Sequence, residues 1–585
     1  MEKKTRTVLQ MLLRPESKQK PCNLPSQSNE AVVLPPVSDL ELYIATVMAD
    51  IDEGRQDISY NPLVVAKPGM QLAATLQQDR CLRQASALTD ADVLTLASRP
   101  DVFVWIPNKV FPHFRIRCPF CDATVACREW ATPKILHGLT KQTVYITVKY
   151  RCLDCAGASA KAVLQSADRP QGQMRKRTER KFQADGVALW QTVPDYVKSC
   201  WKFHNTGKVM CEACVTDFIR AMATRASWSA IADAVNELKR EAWQRDVVSA
   251  WRNICNMLGI PIQMDAPAFP DEYRLTAQWV RSAYVADASC RKAAVCQELA
   301  SECGDEVLVL DWTVDAAVRC NSKYLFNAMD GQRKILVSAL MDTCAPYDVQ
   351  HLLAQLSERG VNPLVVYVDC ECCGAWPKII NQFWKKAVVK LDVMHAIRRL
   401  TQTVTSTQHP AHDRFCAALS GAIYTYDRGV LERLKAARKR AGLSKQLPSS
   451  TRTKLVPRAI TDPAQIASSL EDVIREFDGW HSSDGPLLTA NTLASWRELR
   501  GHVLAGCLCD PPNVLMNVAC DSVSIGGESF CAFRCRRGAS ALEGFHTHQK
   551  QWLGSLARHA EDAGAALLAD GALRWNRKRQ REERP

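Results

Sequence analysis

Two apolar runs that each end in an aspartate, VLVLD closing on Asp311 and LVVYVD closing on Asp369, constrain this chain more than any other feature. Between them the residues read as three extended runs, VLVLDWT, KYLFNAM and KILVSAL, followed by an amphipathic helix from about His351 to Arg359 and then by LVVYV. Short β-rich runs against a helical period of apolar residues give the order β-β-β-α-β. A further helix near Pro377 to Lys386 leads to a short strand, AVVKL, after which Asp392-Val393-Met394-His395 opens another helix.

That order is the one expected of an RNase H-like α/β core. In such a core the ends of two neighbouring strands bring two carboxylates together and a third arrives from a later helix, here Glu543 in ALEGFHTHQ. Three carboxylates suffice to hold two divalent cations about 4 Å apart, and hard oxygen ligands favour Mg²⁺ or Mn²⁺. Such a pair drives in-line displacement at a phosphodiester, with metal in place of a side-chain base. Other readings compete at each position. Aspartate after a strand is a common cap or turn former. Asp315, four residues on, replaces Asp311 if the strand runs further. Ser540 and Glu543 spell the S-x-x-E of a helix capping box.

LDWT, GVNPLVVYVDCECC, VVKLDVMHAIRRLTQTVTSTQHP, CRRGASALEGFHTHQKQWL and LRWNRKR, in this order, resemble a large family of transposase-derived vertebrate proteins with an RNase H-like domain. The resemblance runs from the first cysteine pairs to the C-terminus. It implies that Asp311, Asp369 and Glu543 are the catalytic triad of a DDE-type transposase. Asp392 and His395 then form the D-x-x-H element, Asp392 facing the core or the metal site and His395 orienting its neighbours or contacting DNA. A helical insertion between the second and third carboxylates, here about 396–530, belongs to the same pattern, as does assembly into a homo-oligomer on DNA ends.

The 25 cysteines call for an intracellular explanation. No secretory leader is expected after Met1-Glu2-Lys3-Lys4, and no apolar run reaches the roughly 18 residues of a membrane span, so no membrane partner is expected. In a reducing compartment, paired cysteines read as metal ligands. Cys118-Pro-Phe-Cys121 and Cys152-Leu-Asp-Cys155 flank strand-like runs and have the spacing of a zinc ribbon, a structural Zn²⁺ site with no open position. A second zinc would use Cys200, His204, Cys211 and Cys214, although Cys211 to Met222 with the segment from Ser227 also fits a helix-turn-helix or a plain bundle. Cys370, Cys372 and Cys373 are either ligands or packing for the turn after Asp369. Cys507, Cys509, Cys531 and Cys535 offer another metal set, with less telling spacing.

Lys and Arg number 75 against 62 Asp and Glu, a formal charge of +13. The clusters say more than the total. Arg175-Lys176-Arg177 lies in a polar linker and reads as a nuclear import signal or a phosphate contact, and Arg398 and Arg399 are further candidates for DNA backbone contacts. The organisation expected is a disordered tether over 1–38, a mixed region over 39–165 with a zinc ribbon from about 110, and a basic linker over 166–182. A helical, tryptophan-rich region over 183–300 follows, its tryptophans spaced as core. The α/β core then spans 305–395, a helical insertion 396–530, and the completing helix with a basic C-terminus 531–585. Two function classes follow: a nuclear DNA transposase or nuclease, or a domesticated DNA- or chromatin-binding protein that keeps the fold without the reaction.

Overall fold

The computed structural model describes residues 38–59, 61–64, 100–125, 127–152, 155, 181–198, 201, 203–205, 210–258, 268–302, 304–444, 446–483, 485–553 and 561–583. Arg175, Lys176, Arg177, Cys200 and the expected tether, except Ser38, lie outside them. The chain is mixed α/β, and its two units are Gln19–Ala288 and one built on Ser289–Pro585. The division falls inside the helix Ala277–Ala300, where the sequence reading set it after residue 300.

The N-terminal unit is organised by an 8-stranded sheet. Its longest strand, Gln142–Arg151, is rich in β-branched and aromatic residues that suit a pleated surface. It pairs with Asp101–Trp105 in parallel and with Lys134–His137, Cys127–Trp130 and Lys181–Gln183 antiparallel. Strands Phe203–Asn205 and Met210–Glu212 extend the same sheet, so the expected boundary between a ribbon region and a helical region is not a structural one. Trp190, tilted, and Trp201, edge-on, pack against buried Trp105 with ring centroids 6.1 and 5.0 Å away and thus line the core, as their spacing suggested. The helix after Ala213–Met222 is Trp228–Leu258, 31 residues long, in place of the short second helix of a helix-turn-helix.

The C-terminal unit carries a 5-stranded sheet. Its strands are β1 (Val307–Thr313), β2 (Tyr324–Asp330), β3 (Ile335–Met341), β4 (Val365–Val368) and β5 (Val388–Leu391), in spatial order β3-β2-β1-β4-β5. The first three form an antiparallel meander, and β4 and β5 run parallel to β1. Parallel strands require crossover helices, supplied by α1 (Gln350–Glu358) before β4 and α2 (Ala375–Phe383) before β5.

Alternation along β1 sends Leu308 and Leu310 to one face, where they join Leu352, Leu353, Leu356, Trp376, Ile379 and Ile380 of α1 and α2. Asp311 points to the other face. After α3 (Val393–Thr401) come the helices α4 (His412–Ile423), α5 (Arg428–Arg440), α6 (Ser449–Leu455), α7 (Pro463–Asp478) and α8 (Ala490–Leu504). Phe415, Phe477, Trp496 and Val503 of this insertion belong to the same core as Trp376, so the insertion is built onto the sheet layer and not appended to it.

The expected helical stretch does not stay helical to residue 530. Strands β6 (Asn517–Ile525) and β7 (Glu528–Cys535) form an antiparallel hairpin closed by Gly526-Gly527, both at positive φ, 57° and 79°. Two left-handed residues in succession match the right-handed twist of a hairpin, which is why glycines stand there. The chain ends with α9 (Ser540–Trp552) and α10 (Glu561–Glu583). Asn576 of α10 bonds both the N–H and the C=O of Ile335 at 2.7 and 2.9 Å, closing the outer edge of β3.

Candidate metal centres

Register brings the two aspartates together. Val365 lies opposite Val307 and Tyr367 opposite Val309, and carrying that parallel pairing two residues on sets Asp369 beside Asp311. Across β2, Asp311 pairs with Asn327, whose amide exchanges hydrogen bonds with Gln549 of α9 at 2.9 and 3.2 Å. Gln549 also donates to Ser338 Oγ at 3.1 Å and is fully buried. A buried amide satisfied on both its ends fixes the helix in azimuth and height. Glu543 and His546, one to two turns earlier, are thereby held over Asp311.

Asp392 fixes the other wall. It caps α3, Oδ1 accepting the His395 N–H at 2.9 Å, while Oδ2 accepts the Ala539 N–H at 2.6 Å. Ala539 is the N-cap of α9, so Ser540 does not cap that helix and the S-x-x-E alternative is not what forms. Gly538 at φ 65° is required by this approach, because a Cβ there would run into Asp392 Oδ2. One buried carboxylate thus couples the helix carrying His395 to the helix carrying Glu543.

The result is a tight set of Asp311, His395 and Glu543, with one ligand atom from each within 4.8 Å of the others. His395 Nε2 stands 3.4 Å from Asp311 Oδ2 and 3.8 Å from Glu543 Oε1, and His546 Nδ1 lies 3.7 Å from Glu543 Oε2. Asp369 is not in that set; His395, expected as support, is. Burial pushes the Asp369 carboxyl up, its Cys370 hydrogen bond works against that, and the Asp311 charge adds to it. Burial opposes charge on His395 too, but the adjoining Asp311, with Asp392 and Asp369 behind it, pushes the imidazole up to about 9. His546 holds the Glu543 carboxyl below its ordinary value against the effect of burial, with Arg398 and His395 adding to the pull.

Four buried atoms here, Asp311 Oδ2, Asp369 Oδ1, His395 Nε2 and His546 Nε2, make no hydrogen bond. Orphaned buried acceptors on converging carboxylates are what a cation would satisfy. Arg398 donates to Glu543 Oε1 at 3.0 Å and Arg399 to the Asp369 carbonyl at 2.7 Å, so both arginines read as DNA contacts reach into the site. Asp315 stands apart beyond the end of β1, exposed and paired with Lys550.

Two thiol clusters complete the picture. Cys118, Cys121, Cys152 and Cys155 come together with Sγ separations of 3.2, 3.5 and 3.7 Å, at the end of the strand Gln142–Arg151. A second group that could hold a metal, Cys372, Cys373, His502 and Cys507, takes three cysteines from two of the sequence-derived sets and adds a histidine that spacing gave no reason to choose. Cys509, Cys531 and Cys535 are not in it.

The other proposed zinc set does not assemble among the described residues. Cys214 donates to Glu212 at 3.2 Å, His204 lies 3.9 Å from Asp287, and burial pushes the Cys211 thiol up to about 12. Among the described residues no helix is long and apolar enough to cross a membrane. No protein-family model matches this chain, and no curated protein matches it.

Proposed function

We propose that the C-terminal unit is an RNase H-like domain of DDE-transposase type that cleaves and transfers DNA strands with Mg²⁺ or Mn²⁺. The observation that carries the reading is the meeting of Asp311, His395 and Glu543, from β1, α3 and α9, with Asp369 set beside Asp311 by strand register and Asp311 Oδ2 and Asp369 Oδ1 buried without hydrogen bonds. Asp311, Asp369 and Glu543 would hold the cations, with His395 Nε2 as a further ligand or proton donor. Bound there, two divalent ions supply the charge that activates the attacking oxygen and stabilises the leaving one.

The chain's own residues do the rest. Asp392 and Gln549 tie α3 and α9 to each other and to the sheet, which keeps His395 and Glu543 over Asp311. Arg398, half-exposed at the rim, is placed to meet a backbone phosphate, and Arg399 holds the loop of Asp369. The Cys118, Cys121, Cys152 and Cys155 cluster would take a structural Zn²⁺, since four thiolates leave no open position. Nuclear location, DNA as partner and assembly into a homo-oligomer belong to the same reading.

One observation favours the domesticated, non-catalytic alternative: the Arg398 guanidinium already occupies Glu543 at 3.0 Å, as an internal counter-ion would. The two readings separate on one experiment. Asp369→Asn should abolish Mg²⁺- or Mn²⁺-dependent nicking of DNA by the full chain while leaving its circular dichroism unchanged. Nicking that persists in the variant overturns the catalytic assignment. A wild-type protein that binds DNA, does not nick it and takes up neither cation in calorimetry leaves the binding-protein reading standing.

A further inference from the structure

The second thiol cluster lies three residues behind Asp369. Cys372 and Cys373 sit in the turn between β4 and α2, and His502 is in the last turn of α8. That helix ends in a Schellman turn, Gly506 N–H to Val503 C=O at 2.9 Å and Cys507 N–H to His502 C=O at 3.0 Å, which folds Cys507 back beside His502. Cys507 is itself pinned to the sheet, its carbonyl accepting the Leu391 N–H at 2.9 Å. Three thiols and an imidazole thus meet at one point from two distant stretches of chain.

Their separations suit a tetrahedral ion. Zn–S bonds of about 2.3 Å and Zn–N bonds of about 2.0–2.1 Å give tetrahedral edges of roughly 3.8 Å between sulfurs and roughly 3.6 Å from sulfur to nitrogen. Here Cys372 and Cys373 Sγ lie 3.9 Å apart and Cys373 and Cys507 Sγ 3.2 Å apart. His502 Nδ1 lies 3.2, 3.5 and 3.9 Å from Cys372, Cys373 and Cys507. Three thiolates and an imidazole select zinc over magnesium or calcium, and with all four positions filled the site is structural.

We infer that Cys372, Cys373, His502 and Cys507 bind a zinc ion that fastens the loop behind Asp369 to the end of helix α8. This site stands whether or not the carboxylates cut DNA. It gives the insertion a mechanical role: the helix that interrupts the core between the second and third carboxylates is tied, through metal, to the loop that presents the second one.

The test is the zinc content of the full chain by mass spectrometry of the metal. Cys507→Ser and His502→Ala should each carry one zinc fewer per chain than wild type, and Cys121→Ser, in the other cluster, should lose one independently. Unchanged content in both Cys507→Ser and His502→Ala overturns the site. Because either variant could fail to fold, wild type supplies a second readout. Cys373 is exposed, so a thiol reagent should label it slowly with zinc present and fast after chelation. Equal labelling in both states, or a Cys373–Cys507 disulfide in protein alkylated at lysis, overturns the proposal. Amide exchange over residues 370–374 should rise on chelation, and unchanged exchange there overturns the fastening role.

Discussion

His137 and His395 are both part-buried imidazoles, one in each unit, and their surroundings push them in opposite directions. In the N-terminal unit, burial and the neighbouring Lys239 push His137 down to about 3. Lys239, fully buried, lies 3.2 Å from His137 Nδ1 and 3.3 Å from the Tyr273 carbonyl, and burial pushes its amine down to about 7 against the pull of Cys211 and Glu212. In the C-terminal unit, burial acts on His395 in the same sense, yet Asp311 and its acidic neighbours carry it up to about 9.

Desolvation always disfavours the charged form; the sign of the nearest charge decides whether it prevails. A base buried against another base sheds protons and becomes packing. A base buried against carboxylates keeps its proton and becomes part of a charged site, which is where perturbed groups of functional use are found.

The largest effect expected from this contrast is a pair of opposed pH dependences. Lys239 has a folded-state pKa near 7, below its ordinary value, so between there and about 10.4 the unfolded chain binds more protons and the N-terminal unit gains stability as pH rises. His395, at about 9, lies above its ordinary value, so its contribution is complete below about 6.5 and is lost as pH rises through 9. Each is on the order of a few kcal/mol. Between pH 7 and 9, without added Mg²⁺, amide exchange corrected for its intrinsic pH dependence should slow in Gln142–Arg151 and quicken in Val307–Thr313. Slopes of the same sign would break the comparison.

Removing one charge should then convert one histidine's behaviour into the other's. Asp311→Asn keeps the shape of the site and deletes the nearest carboxylate, leaving burial to act on His395 with less opposition. Its imidazole should titrate lower by roughly two pH units, about 3 kcal/mol of lost interaction with the charged form. Histidine ring resonances followed from pH 5 to 10 read this directly. A His395 titration unmoved in the variant would assign its proton to Asp392 or Glu543 and not to Asp311.

What could be read beforehand divides along the same line. Asp311 and Asp369 were legible because each ends an apolar run, and parallel register then leaves them little choice but to meet. The Cys118, Cys121, Cys152 and Cys155 cluster was legible because its ligands come in two tight knuckles. The set of Cys372, Cys373, His502 and Cys507 was not, because its halves are joined only by the fold of the insertion, and a histidine at a helix end carries no local signature. His395 was placed in support although it faces the carboxylates, since the sequence does not say which way the first turn of α3 points. The hairpin of β6 and β7 did leave a signal, Gly526-Gly527 between alternating runs, obscured by the helical stretch before it.

Lys239 is the residue of this comparison with no sequence signal at all: it sits in a long helix amid other charged residues, and only packing reveals that it is the buried one. Its smaller but cleaner test is Lys239→Met, which keeps the stem and removes the amine. A buried amine that sheds its proton near neutrality contributes little attraction, and an apolar residue of similar length avoids its desolvation. The N-terminal unit should therefore gain more at pH 6 than at pH 9, by roughly 2–3 kcal/mol, because between those values the wild-type unfolded chain binds more protons than the folded one. His137, relieved of its neighbour, should move back up by about one unit, since burial remains. Denaturant unfolding at the two pH values measures the difference. A variant less stable at both would mean that the Lys239 contacts to His137 and Tyr273 stabilise the unit, and that the amine stays charged and satisfied in place.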